Sequence, residues 1–568
     1  MKNVGERLNG LRWRLRAMRR LWSAGAEPDM TYLGPQPPKG GALGEIDNPL
    51  PGMEIETEAL RIVGWVAFTD RPTARIEIWL DEVPLGRARV GLPRIDVGEN
   101  TDLALAPVSG FELDADLSHV PRPGKAQVRV VATSVDGQTY AMDPVPISVV
   151  EPPASAAGGP PPEPVPAGAG KGDGLRVLVA THQLNLGGAQ LYLLDLLRGL
   201  RDRGGIEPTV VSAMDGALRE DLEAMGIPVH ITSVSLHDDL SSHLGHAEEL
   251  AAWARPHEFD LVFLNTATVL SLPGAEVAAR LGIPAVWAIH ESFEPAVLWA
   301  HIDPEVRARA EALLSQAAFA VFEAEATQRI FEPLLDGPRC RMLPYGLDLA
   351  PIDARRDGFD AAAERRKAGL PGSARVVVCV GTVEPRKAQI PLAQAFERIA
   401  GRHPDTHLAF VGGREEDPHS LVLEKYIESS RSSGQMRLIP ITPDVEPWYG
   451  MADLLVCASD VESLPRTVLE AMAWETPVLA TNVFGLPELI ADGETGWLCE
   501  PRDVSRLAEA LDEILGQPPE LHDRIAVKAR ALVERRHSLP KYAEEISKLL
   551  ETAVKSPVKE AQRRTTSG

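Results

Sequence analysis

The sequence predicts an α/β protein of two doubly wound domains, preceded by a small all-β sandwich. Three observations carry this expectation. Two successive series of short, apolar, β-rich runs alternate with helical stretches between residues 174 and 550. A stretch of strictly alternating runs precedes them, and a Pro-, Ala- and Gly-rich segment separates the two regimes. At 568 residues the chain is too long for one core, and folding units of about 100–200 residues imply three or four of them.

Residues 1–30 come first. Leu8, Leu11, Leu15, Met18 and Trp22 recur at helical spacing among Arg7, Arg12, Arg14, Arg16, Arg19 and Arg20, the pattern of a basic amphipathic helix. Residues 1–25 suit a surface of anionic lipid, because burying an apolar stripe and neutralising headgroups add together. They suit equally an arm packed on this protein or on a partner.

From 46 to 150 the grammar changes. Ala74, Ile76, Ile78 and Leu80 alternate with Arg75, Glu77 and Trp79, and Val128, Val130 and Ala132 lead to Asp136-Gly137. Several such runs, divided by Gly, Pro and Asp turns, predict the sandwich, which is similar to accessory modules of bacterial enzymes. Trp65 and Trp79 are expected in its core, although either ring could stack on a sugar. Residues 151–173 are too poor in large apolar groups to offset the entropy of ordering and read as a linker.

The first doubly wound domain is expected over 174–370, with strands at 175–180, 209–212, 229–231, 261–264 and 285–289. The second is expected over 371–550, with strands at 375–380, 407–411, 437–439, 454–458 and 478–480. Strands that alternate with helices pair in parallel, and ligands of such sheets lie beyond the strands' C-terminal ends. The chemistry is therefore sought just after these runs, in the cleft between the domains. Residues 555–568 are polar and read as a disordered tail.

Composition narrows the class. The share of 44% hydrophobic and 24% charged residues is globular, and no apolar run approaches the about 18–20 residues that cross a bilayer. A net charge of -23 disfavours nucleic acid as a partner. Cys340, Cys379, Cys457 and Cys499 lack any C-x-x-C pairing and read as buried free thiols. With no cleavable signal peptide evident, the expected compartment is the reducing cytoplasm, residues 1–25 offering contact with the inner face of the membrane.

Candidate site residues follow the strand ends. Gly187 and Gly188 precede a helix, whose first amides and positive dipole end can receive an anion, although a tight turn needs glycine too. His290 and Asn265 each stand just past a strand, with a hydrogen-bonded loop role as the plainer alternative. Arg386 and Lys387 lie where a loop enters a helix, placed to hold a diphosphate with a fork and a compact charge. Glu462 falls in a loop after a strand and can reach sugar hydroxyls. Ser463 is expected to cap the next helix and Pro465 to open it. The amides near Ser463 and Leu464 can meet phosphate, and Glu470 on the helix can accept from a ribose.

The stretch 454–501 carries E-x7-E at Glu462 and Glu470, then EAMAWETPVLAT, Gly485-Leu486-Pro487-Glu488 and DGETGWL. In this combination it closely resembles glycosyltransferase family 4. The likeness runs from about 175 to 550 and takes in Gly187-Gly188, His290, MLPYGLD and EPRK. The resemblance implies the GT-B fold, with an acceptor domain followed by a nucleotide-sugar donor domain. It further implies transfer of a sugar from a nucleotide diphosphate to a glycan or lipid-linked acceptor, with retention of configuration and without a metal or other cofactor, in polysaccharide or glycoconjugate biosynthesis. His290, Glu462, Arg386 and Lys387 would then be catalytic, and Gly187, Gly188, Ser463, Leu464 and Glu470 would bind the donor. Two positions depart from the pattern. Thr382 stands where many members have arginine, and Pro465 replaces a glycine and removes an amide donor. A nucleotide-sugar epimerase and a non-catalytic glycan-binding scaffold are the competing readings.

Overall fold

The computed structural model describes residues 42–49, 51–55, 59–68, 71–92, 109–117, 124–149, 174–232, 234, 239–299, 302–335, 337–415 and 417–555. The predicted helix over 1–25 and the linker over 151–173 lie outside the described residues, as does the tail expected over 555–568 except for Lys555, which is helical.

The N-terminal strands are β1 (Ala42–Asn48), β2 (Met53–Ile55), β3 (Ala59–Phe68), β4 (Thr73–Leu80), β5 (Val83–Arg87), β6 (Arg89–Leu92), β7 (Gly110–Asp116), β8 (Gly124–Ser134), β9 (Thr139–Ala141) and β10 (Val145–Val149). They form two sheets, ordered β1-β3-β7-β6 and β2-β10-β8-β4-β5, with β9 beside β8. Every pairing is antiparallel except that of β10 with β2. The alternation in β4 turns Ala74, Ile76, Ile78 and Leu80 inward, where Ile76 and Ile78 join Ile62 and Phe111 of the other sheet in one buried core. Trp65 and Trp79 are not in that core. Each is half-buried on the outward face of its strand, because the inward positions beside them are taken by Val66, Ile78 and Leu80. Strand parity overrides the tendency of tryptophan to be buried.

The first lobe contains β11 (Leu175–Thr181), β12 (Ile206–Ser212), β13 (Val229–Ile231), β14 (Leu261–Leu264), β15 (Ala285–Ile289), β16 (Phe319–Phe322) and β17 (Cys340–Met342). They make a parallel sheet in the order β13-β12-β11-β14-β15-β16-β17. The second lobe contains β18 (Arg375–Val380), β19 (Thr406–Gly413), β20 (Met436–Pro440), β21 (Leu454–Cys457), β22 (Val478–Thr481) and β23 (Trp497–Cys499), ordered β20-β19-β18-β21-β22-β23, again parallel. Both sheets therefore reverse direction next to their first strand, between β11 and β14 and between β18 and β21. Such reversal points leave a crevice at the strands' C-terminal ends. All four cysteines lie on strands, buried and free.

The last helix, Leu539–Lys555, leaves the second lobe and packs on helix Gly188–Arg203 of the first. Its Ala543 lies so close to Gly199 that an added Cβ there would sit 2.9 Å away. The range 371–550 thus includes a segment that belongs spatially to the first lobe.

The sandwich is docked on the second lobe. Strand β6 lies against the segment 385–391, where a Cβ on Gly91 (φ +78°) would fall 3.0 Å from Ile390 Cγ2. Around this contact Arg398 donates to Val135 O at 3.0 Å, and Arg502 donates to Arg87 O. Val90 and Ile390 share one continuous core with the sandwich interior.

Candidate functional site

Two loops meet at the reversal point of the second sheet. The first leaves β18 at Gly381 (φ +146°), is closed by Gln389 Nε2 donating to Thr382 O at 2.9 Å, and ends in a 3-10 turn, Pro385–Lys387. Ala388 then adopts a left-handed φ of +52° before helix Gln389–Ile399, a conformation that favours glycine. The second loop leaves β21 and is fastened to the first by Asp460 N–H donating to Arg386 O at 2.7 Å. Arg386, Lys387 and Glu462 therefore come together, as the sequence predicts.

Glu462 is buried. It accepts from Ser459 Oγ at 2.8 Å, is paired with Lys387, and stands 3.5 Å from Arg386 Nη1. Burial pushes its carboxyl up, but Lys387 and Arg386 outweigh this and hold it below the usual range. Arg386 also forks onto Glu384 at 2.9 and 3.2 Å. Burial opposes its charge, and the two carboxylates more than restore it. Each cation thus has a carboxylate partner already, and an anion entering here shares them rather than meeting bare charge.

The helix that follows, Arg466–Ala473, has Pro465 at its N-cap and no side-chain cap. Ser463 does not cap it; its hydroxyl meets Thr327 Oγ1 of the first lobe at 3.0 Å. Pro465 stands one position earlier than predicted, because the ring's restricted φ serves at the cap as well as at the first turn. The first amides of this helix still have no intrahelical acceptor. Leu464 is half-buried against the lobe's core.

Glu470 is the centre of a network that sequence reasoning missed. Its Oε1 accepts from Arg466 Nε at 2.6 Å and its Oε2 from Tyr449 at 2.8 Å. Arg466 also donates to Asp195 and to the Tyr345 hydroxyl, and Tyr345 donates to Asp195 at 2.7 Å. Asp195 lies on helix Gly188–Arg203, so the network crosses from one lobe to the other. The available signal was an arginine four residues before Glu470, an ordinary helical pairing, and at a positive helix end an arginine needs such partners. Glu470 is thus tied to the fold as well as to the cleft, since the buried Tyr449 and the half-buried Arg466 both donate to it.

In the first lobe, Gly187 is the N-cap of helix Gly188–Arg203. A Cβ on Gly187 would require the Gln190 side chain to shift, whereas a Cβ on Gly188 would meet nothing within 4 Å. Asn265 Nδ2 donates to Ala189 O at 2.9 Å, and its Oδ1 faces His290 Nε2 at 3.3 Å. His290 Nδ1 faces Glu323 at 3.0 Å. Both ring nitrogens therefore meet acceptors, an arrangement satisfied by the imidazolium. Burial lowers the His290 pKa, but Glu323, and Glu291 beside it, raise it further than burial depresses it. Asn265 thus joins the glycine-rich helix start to His290.

The two sets approach each other where the lobes touch. Ser292, two residues after His290, meets Thr327 at 2.7 Å, and Thr327 meets Ser463, next to Glu462. Glu488 of the GLPE motif accepts from the amides of Glu325 and Ala326, both at 2.8 Å, and so caps a first-lobe helix. Gly485 passes so near Ser463 O that no side chain fits. Part of the motif that carries the resemblance therefore serves lobe contact rather than chemistry.

Comparison with known proteins agrees with this geometry. Residues 360–532 match Glycosyl transferases group 1, and residues 186–350 match Glycosyltransferase Family 4. The chain is 30% identical over 274 residues to the GDP-mannose-dependent alpha-(1-6)-phosphatidylinositol monomannoside mannosyltransferase of Mycolicibacterium smegmatis, covering 46% of this chain and 69% of the relative. It is 29% identical over 366 residues to D-inositol 3-phosphate glycosyltransferase 2 of Catenulispora acidiphila, covering 59% and 84%. Among solved structures, Anabaena Alr3699/HepE in complex with UDP and glucose superposes with a TM-score of 0.57 at 22% identity, over 66% of this chain and all (100%) of that one. A glycosyltransferase from Rickettsia africae gives 0.58 at 18%, over 68% and 100%. Two parallel sheets with facing strand ends, the E-x7-E loop and helix, and these relatives lead to one conclusion: the chain belongs to the GT-B glycosyltransferases of family 4, enzymes that use nucleotide sugars.

Proposed function

We propose that the enzyme transfers its sugar with retention of configuration and without a metal, to a glycan or lipid-linked acceptor in polysaccharide or glycoconjugate assembly. The observation that carries this reading is the meeting of Arg386, Lys387 and Glu462 at the reversal point of the second sheet, beside the open start of helix Arg466–Ala473. As the bond to phosphate breaks, negative charge gathers on the leaving diphosphate and positive charge on the sugar ring. Arg386, Lys387 and the amides after Ser463 stabilise the first, and Glu462, partly released from the cations, stabilises the second. Glu470 receives the ribose on lone pairs left over from Arg466 and Tyr449. The acceptor hydroxyl attacks from the face the diphosphate leaves, and its proton passes to a diphosphate oxygen. His290, fixed by Glu323 and Asn265, orients the donor sugar from the first lobe, and lobe closure excludes water.

The lipid-linked acceptor and the inner membrane face rest on the basic pattern of residues 1–25, and the sandwich is taken as an accessory module. Among the described residues no helix is long and apolar enough to cross a membrane. Incubation with a panel of nucleotide sugars tests the reading. Release of nucleoside diphosphate, with a product of unchanged anomeric configuration by NMR, supports it; inversion, or sugar interconversion without release, overturns it.

A further inference from the structure

The sandwich does more than hang from the enzyme. Its β6 is pressed against the segment that carries Arg386 and Lys387, and the contact includes charge as well as apolar area. Asp460, whose amide holds Arg386 O, is buried at 4% exposure, with Oδ2 standing 3.7 Å from Arg502 Nε and Oδ1 without a hydrogen bond. Arg502 itself reaches the sandwich at Arg87 O. Arg89 of β6, also within electrostatic reach of Asp460, is buried 3.5 Å from Glu112 of β7, which Arg61 of β3 holds at 2.5 Å. A row of alternating charges thus runs from the sandwich interior to the backbone of the turn Pro385–Lys387.

We propose that the sandwich is a working part of the donor lobe: Arg89 and Arg502 hold Asp460, and Asp460 sets the height of the Arg386–Lys387 turn. This rests on the reading that these two cations hold the diphosphate. All three act through the backbone of the turn and not on the donor in this proposal, and are therefore positioning residues. A buried carboxylate with only partial pairing is costly, and Asp460 carries that cost at the joint between the two site loops, where its own amide holds Arg386 O. The groups facing it are Arg502 from the loop after β23, Arg89 from β6 and Glu112 from β7. Burial pushes its pKa up to about 6, against the pull of Arg502 and Arg89, so its charge titrates in an accessible range.

The test uses the full chain, with Asp460→Asn, Arg89→Met and Arg89→Lys, and reads donor KM and kcat separately. Asp460→Asn and Arg89→Met are expected to raise donor KM about tenfold with kcat nearly unchanged, and Arg89→Lys to recover most of the loss. In the wild type, donor KM rises as pH falls through about 6, and Asp460→Asn flattens that rise. Lys387→Met, measured alongside, checks the underlying reading: if it leaves diphosphate binding intact, that reading fails. If Lys387→Met weakens binding while wild-type and Asp460→Asn pH profiles of donor KM coincide, the buttressing role is overturned. Asp460→Asn keeps the shape and the amide, so the profiles remain decisive even if Arg89→Met does not fold.

Discussion

Gly188→Ala separates a ligand's requirement from a fold's. The Cβ it adds meets no atom within 4 Å, and the residue opens helix Gly188–Arg203. Alanine in a helix is favoured over glycine by about 0.5–1 kcal/mol, less at a first position, so the melting temperature should hold or rise by about 1–4 °C. A helical Cα–Cβ bond tilts toward the N-terminus, so the methyl enters the space an anion must occupy to reach the first amides. Losing one hydrogen bond to a charged group costs about 1.5–3 kcal/mol, which lowers kcat/KM about 10- to 100-fold. Thermal melts and steady-state transfer, run on one preparation, check both halves. A folded variant with wild-type kcat/KM would refute the claim that donor or acceptor approaches this helix start. Gly187→Ala would be a poorer probe, because its Cβ would also displace the Gln190 side chain.

Other consequences concern stability and pH. Glu470→Ala leaves the buried Tyr449 hydroxyl without its acceptor and Arg466 with Asp195 as its one remaining carboxylate, at a cost of about 2–4 kcal/mol, and a melting temperature equal to wild type would contradict the network. Glu276, wholly buried between Arg309 and Arg280 far from the site loops in sequence, is essential to the first lobe: Glu276→Gln should cost about 3–5 kcal/mol and lower the melting temperature by roughly 10 °C. Burial raises its pKa but Arg309, His243 and Arg280 bring it down to about 2, so its contribution is complete above the ordinary 4.5 and is lost as pH falls through about 2, measurable as acid unfolding. His290 has the opposite sign. Its raised pKa adds stability that is complete below 6.5 and lost as pH rises through the raised value, so the gap between wild type and Glu323→Gln in denaturant melts should narrow across that interval. A gap that widens with pH would show that the imidazolium is not what Glu323 holds.

Strand positions were legible because a doubly wound sheet is buried on both faces and writes each strand as an apolar run. The expected run 285–289 coincides with β15, and 375–380 with β18. Strands β16 and β23 are absent from the expected series, and β17 enters it only through the MLPYGLD stretch that begins at its last residue, Met342. The grouping of Arg386, Lys387 and Glu462 was also legible, since each follows a strand that borders the reversal point. Contacts between distant segments were not. Arg466 with Asp195, Ser463 with Thr327 and Arg502 with the sandwich depend on how separately formed layers meet, and no local periodicity encodes that. The outward tryptophans and the crossing of helix Leu539–Lys555 have the same origin.

The claim on which the rest depends is that Arg386 and Lys387 grip the second phosphate of the donor. Calorimetric titration of a nucleoside diphosphate and the matching monophosphate, into wild type and into an Arg386→Met/Lys387→Met double variant, tests it through a ratio that cancels general weakening. The account predicts that the wild type prefers the diphosphate by about 10- to 100-fold, and that the preference falls to near unity in the variant. An undiminished preference in a folded double variant would contradict it.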